Sequence, residues 1–102
     1  MTKIQHIVLL KFKQETTDEK IAYLFGLLGR LQELFPGITH FSHGPNVSNE
    51  GLNEGYKHGF IMTFSSVAAR DAYLPHPEHE RMKAEIFPHI DGVLTFDIAA
   101  NS

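Results

Sequence analysis

The chain has 102 residues, 42% of them hydrophobic and 21% charged, which is the balance of an ordinary globular protein of one domain. A net charge of -3 opposes phosphate neutralisation and so argues against a nucleic-acid partner, and the lack of cysteine excludes disulfides and thiolate metal sites. The apolar run "HIVLL" is too short for a signal peptide or a membrane span and passes at once into "KFKQE", so a cytoplasmic protein with no membrane partner is expected.

The first segment, "KIQHIVLLKFK", reads as a strand. Ile4, His6, Val8, Leu10 and Phe12 share one parity, and Gln5, Ile7, Leu9 and Lys11 the other. Both faces are apolar in the middle, so both are expected to be covered. In "TTDEKIAYLFGLLGRLQELFPG", Thr16, Thr17 and Asp18 offer N-cap oxygens and Glu19 suits a first helical turn. Ile21, Leu24, Phe25, Leu28, Leu31 and Phe35 follow at helical spacing until Pro36-Gly37 ends the helix. Gly26 and Gly29 lower its propensity, and close packing on a sheet is one reason to keep them.

"ITHFSHGPNVS" is a second, more polar strand with a kink near Gly44-Pro45, and "NEGLNE" is a turn or exposed loop. "GYKHGFIMTF" is a third strand, with Tyr56, His58, Phe60, Met62 and Phe64 on one face and Lys57, Gly59, Ile61 and Thr63 on the other. "SSVAARDAYL" is a short helix opened by Ser65 or Ser66 and interrupted by Pro75. A further helix starts near Pro77, with Glu78 and Glu80 in its first turn, where they favour the positive end of the dipole. "GVLTFDIAA" is the last strand.

The order is β-α-β-β-α-β, an α+β, ferredoxin-like arrangement with a four-stranded antiparallel sheet and helices on one face. Ile7, Leu9, Ile61, Leu94, Phe96 and Ile98 fall on the parity of the other face. An apolar row of that size marks an interaction surface, and two-fold pairing with a second copy buries it most simply. A homodimer packed sheet to sheet is therefore expected.

With the strands placed, "HIVLLKFK", "EGYKHGFIMTF", "YLPHPEH" and "VLTFDI" together resemble the stress-responsive A/B barrel (Dabb) family over nearly the whole chain. The resemblance implies a dimeric α/β barrel of two ferredoxin-like units. The best understood member of that family is a plant polyketide cyclase, which closes a ring by an aldol-type reaction in a cavity between sheet and helices. Carried over to matching positions, its working residues fall on His79, Tyr73 and His6, and its cavity wall on Val8, Leu10, Leu24, Leu28, Phe41, Val47, His58, Phe60, Leu74, Met82 and Ile90. Leu28 stands where the cyclase has tyrosine, Met82 where it has phenylalanine and Ile90 where it has tryptophan. The cavity shape, and with it the substrate, is not carried over. The implied ligand class is a small hydrophobic, aromatic or polyketide-like molecule, turned over without a cofactor.

The chemistry of each residue admits two readings. His79, in a helix first turn, has its pKa lowered by the dipole and suits a general base; it also reads as a half-exposed histidine at a helix start. Tyr73 is a hydrogen-bond donor to a developing enolate or a core tyrosine with a satisfied hydroxyl. His6 orients a ligand or is a buried structural histidine. His58 lines the cavity, and His76, just before Pro77, is a cap or surface residue. A metal site built on His76 and His79 needs further ligands from His6, His58 or His89, and the i,i+3 spacing differs from the i,i+4 of helical zinc motifs, so no metal is expected. No haem-binding pattern is present. Two other functions compete with a cyclase or lyase: a non-catalytic stress or interaction protein with a cavity too small to use, and a cofactor-free monooxygenase-like enzyme.

Overall fold

The computed structural model describes residues 2–100. Strand β1 spans Lys3–Phe12, helix α1 Asp18–Leu34, β2 Ile38–Pro45, β3 His58–Phe64, α2 Val67–Tyr73, α3 Pro77–Ile86 and β4 Ile90–Ala100, with a 3-10 turn at Phe87–His89 before the last strand. The sheet is antiparallel throughout, in the order β2-β3-β1-β4, which is the ferredoxin-like arrangement.

Local chemistry sets the element ends. Among the three candidate caps of α1, Thr17 is the one used: its Oγ1 accepts from the Lys20 amide at 3.1 Å. Ser66, not Ser65, caps α2 by accepting from the Ala69 amide at 3.0 Å. His76 caps α3, its Nδ1 accepting from the Glu78 amide at 3.1 Å, and Pro77 takes the first helical position. The second and third strands are shorter than the sequence predicts. Asn46 to Lys57 form the connecting loop, where Glu54 and Gly55 both take positive φ, and Tyr56 is held by its amide's hydrogen bond to the Asn53 carbonyl, outside the strand. The last strand starts two residues earlier than expected, at Ile90.

The core lies between the sheet and the helices. Ile4, Val8 and Leu10 of β1, Phe60, Met62 and Phe64 of β3, and Leu24, Phe25, Leu28 and Leu31 of α1 are all buried. Parity is kept across the register: Ile4 pairs with Phe64, His6 with Met62 and Val8 with Phe60. Gly26 departs from the packing rationale. A Cβ there would meet nothing within 4 Å, whereas one on Gly29 would lie 3.6 Å from the Phe41 ring, an ordinary contact. Close approach to the sheet therefore does not require either glycine.

The opposite face carries the predicted apolar row. Ile7 pairs with Ile61 on one side and Phe96 on the other, Leu9 pairs with Leu94, and Ile98 sits across from Gln5. Ile7 is half-buried, while Leu9, Ile61, Leu94, Phe96 and Ile98 are exposed, Phe96 to 67%. Among the described residues no helix covers this side.

Candidate active site

Helix α3 packs on α1 and on the 3-10 turn, while α2 packs on β1 and β3. This leaves a gap between α3 and the β1–β4 edge of the sheet. The gap is a cavity of about 500 Å³, within the span of about 300–1,000 Å³ typical of small-molecule sites. His6, Tyr73 and His79 all line it, together with Val8, Leu10, Leu28, Phe60, Leu74, Met82 and Ile86.

His79 bridges the break between two helices. The carbonyl of Leu74, at the end of α2, has no helical partner, and His79 Nδ1 lies 2.8 Å from it. A carbonyl oxygen only accepts, so Nδ1 carries the proton and Nε2 of the neutral ring keeps its lone pair. Burial lowers the His79 pKa below 6.5, and the Lys83 and His6 charges push the same way, against the Leu74 carbonyl and Glu80. The direction matches the sequence reading, but desolvation is the leading cause in place of the helix dipole. The neutral ring is thus favoured, with Nε2 as its basic nitrogen.

Tyr73 is 2% exposed at the C-terminal end of α2. Its ring lies 4.6 Å from the His79 ring, centroid to centroid, and packs against Phe35 and Phe64 at 5.2 Å each. Its hydroxyl bonds no group among the described residues, yet no fully buried side-chain polar atom among them is left unpaired. The hydroxyl therefore reaches the cavity. Burial raises the phenol pKa well above 10, so the group stays protonated and able to donate.

His6 is 8% exposed on β1, edge-on to Phe60 and Phe64. Its Nδ1 lies 2.6 Å from Asp97 Oδ1 on the paired strand β4. Arg70 of α2 donates to the other oxygen, Asp97 Oδ2, at 2.8 Å, and is itself steadied by Asp71 Oδ1 at 2.9 Å. Desolvation alone would raise the Asp97 pKa, but the hydrogen bonds from His6 and Arg70 outweigh it and hold the carboxyl below 3.8. An ionised carboxylate only accepts, so His6 donates from Nδ1 and its ring is fixed with Nε2 away from Asp97.

Of the wall positions carried over from the family resemblance, Val8, Leu10, Leu28, Phe60, Leu74 and Met82 lie on this cavity. Five others do not. Leu24 is buried in the core, and Phe41 and Ile90 pack against that core. His58 lies edge-on to Phe12 at 5.3 Å and, with Val47, borders a separate hollow by the β2–β3 loop. Val47 itself is 90% exposed, because it follows β2 on the loop and lies on no sheet face. His76 is committed to its cap and packs edge-on to Phe35 at 4.6 Å. Among the described residues no cluster of three or more histidine or carboxylate side chains could hold a metal ion.

Sequence reasoning missed Asp97, Arg70 and Lys83 at or behind the cavity. Strict alternation along "VLTFDI" could have found Asp97: with Leu94, Phe96 and Ile98 on the outer face, Thr95 and Asp97 must share the side of His6. Lys83, four residues past His79, shares its helix face and was equally legible. Arg70 left no signal, because its link to Asp97 joins α2 to β4 across 27 residues.

The match to known proteins agrees with this fold. Residues 4–100 match the model of the Stress responsive A/B Barrel Domain family. The stress-response A/B barrel domain-containing protein HS1 of Arabidopsis thaliana is 33% identical over 97% of this chain and 91% of its own length. Olivetolic acid cyclase of Cannabis sativa is 32% identical over 74% of this chain and 75% of its own. The crystal structure of a dimeric ferredoxin-like protein from Jannaschia sp. CCS1 superposes with a TM-score of 0.85 at 34% identity, covering 96% of this chain and 99% of that one. On the strength of the family match, the chain belongs to the stress-responsive A/B barrel (Dabb) family.

Proposed function

We propose that this chain forms, as one domain, a homodimer in which each protomer binds a small apolar or aromatic carbonyl compound and performs acid–base chemistry on it without a cofactor. The observation that carries this reading is the meeting of His79, Tyr73 and His6 in a largely apolar cavity, with a hydrogen bond that leaves Nε2 of His79 free to accept a proton. The cyclase relative supports the reaction class, and the dimeric relative, with the exposed apolar sheet face, supports the assembly.

In this reading, His79 Nε2 removes a proton from a carbon flanked by carbonyls. The electron pair moves into the adjacent carbonyl, and the Tyr73 hydroxyl donates to the enolate oxygen that forms. The enolate carbon attacks a second carbonyl, a C–C bond forms, and the imidazolium returns the proton to the new alkoxide. His6, held by Asp97 and through it by Arg70, orients the ligand. The reverse sequence is a lyase reaction. The cavity volume favours this reading over a tightly filled, non-binding core.

The test is solvent deuterium exchange into a panel of β-keto thioesters and benzoylacetone, followed by NMR. The wild type is expected to accelerate exchange, and His79→Ala to lose about 10²-fold or more of that acceleration, the usual contribution of a general base. Equal exchange by both proteins removes His79 from the mechanism. Oxygen uptake with these compounds would favour a monooxygenase instead.

A further inference from the structure

Lys83 is the only lysine or arginine on the cavity wall among the described residues, and it stands on α3 one turn beyond His79. The side chain is 39% exposed, so it lies where the cavity opens to solvent, near the exposed Phe87 ring at 6.0 Å. Its Nζ pairs with Glu80 Oε1 at 3.2 Å, an i,i+3 surface pair of the kind that contributes little and exchanges readily. The other charge on the wall, Asp97, is already engaged by His6 and Arg70. The rim therefore offers one available positive charge above apolar walls.

We infer that the cavity selects an apolar or aromatic molecule bearing a carboxylate, with the carboxylate at Lys83 and the reacting carbon at His79. This rests on the reading of the cavity as a ligand site. His79 and Lys83 stand one turn apart on α3 and both line the cavity, so a single ligand can meet both side chains at once. A keto acid with its apolar remainder along Leu10, Leu28 and Met82 meets both contacts. A single ammonium beside Glu80 suits a monoanion better than a phosphate dianion, which is usually met by several donors or a guanidinium fork.

The experiment compares 4-hexylbenzoate with the uncharged 4-hexylbenzyl alcohol by isothermal titration calorimetry at pH 7.5. The proteins are the wild type, Lys83→Met and Lys83→Glu, each checked for native circular dichroism. The wild type is expected to bind the benzoate about 10-fold tighter than the alcohol. Lys83→Met should bring the two within about twofold, and Lys83→Glu should favour the alcohol. Equal binding of both probes by the wild type, or a benzoate preference that survives Lys83→Met, overturns the role of Lys83 and leaves the cavity as a ligand site. Failure of the wild type to bind either probe overturns both. Failure of the acid–base reading alone appears separately, as deuterium exchange unchanged in His79→Ala.

Discussion

His79 and His6 each present a ring nitrogen to an acceptor that carries no hydrogen, the Leu74 carbonyl and the Asp97 carboxylate. Each contact fixes a tautomer, and each leaves the second nitrogen as the one able to work. Because burial lowers the His79 pKa, the neutral base persists below the usual histidine midpoint of 6.5. The exchange rate per enzyme is therefore expected to rise with pH to a plateau whose apparent midpoint lies below 6.5, and a midpoint above it would contradict the assignment. The same shift affects stability. The unfolded chain binds the His79 proton more readily, so stability is full above pH 6.5 and falls as the pH drops from 6.5 through the lower folded-state value. Asp97, also depressed, adds a loss that begins below 3.8. Urea unfolding across pH 3–8 reads both, and His79→Ala should remove the first step alone. Tyr73→Phe keeps the ring packing and deletes the donor; a loss of about 10²-fold in turnover with little change in melting temperature is expected. His6, Tyr73 and His79 could be named from the sequence because the family resemblance points to those positions, and strand parity puts His6 on the helix side. The Arg70–Asp97 link could not, since it depends on how far α2 reaches over the sheet.

At the scale of elements, glycine shows where space decides stability. Gly26 lies in α1 with nothing near its missing Cβ, so Gly26→Ala should raise stability by about 0.5–1 kcal/mol through helix propensity alone. Gly37, in the turn after α1, differs: an added Cβ would lie 2.7 Å from the Ala69 Cβ of α2. Gly37→Ala is expected to cost about 1–3 kcal/mol, since overpacking forces one segment to move. Thermal melts of the two variants should therefore shift in opposite directions. The order of elements was readable because apolar period, caps and proline breaks agreed with one another. The ends of β2 and β3 were not, because "NVS" and "GYK" carry strand-like residues that the loop's positive-φ turn at Glu54 and Gly55 takes out of the ladder. The 3-10 turn at Phe87–His89 likewise follows from Pro88 only once the chain must turn into β4.

The whole molecule has two faces of different character. One holds the helices and the cavity; the other presents Leu9, Ile61, Leu94, Phe96 and Ile98 as a continuous apolar row. Lysine in place of Ile61 and Leu94 would bury charge at a two-fold interface, so the double variant should sediment at the 11.5 kDa protomer mass while the wild type sediments at twice that. A monomeric wild type would contradict the assembly. The row was legible from alternation alone, whereas the cavity's size was not, because it depends on how far α3 stands from β4. The most direct test of the central claim is a crystal structure with benzoylacetone bound. The diketone is expected between α3 and β1, one oxygen within hydrogen-bond reach of the Tyr73 hydroxyl and the central carbon about 3–3.5 Å from His79 Nε2. Benzoylacetone bound only on the outer sheet face, or a cavity still empty at saturating ligand, would contradict it.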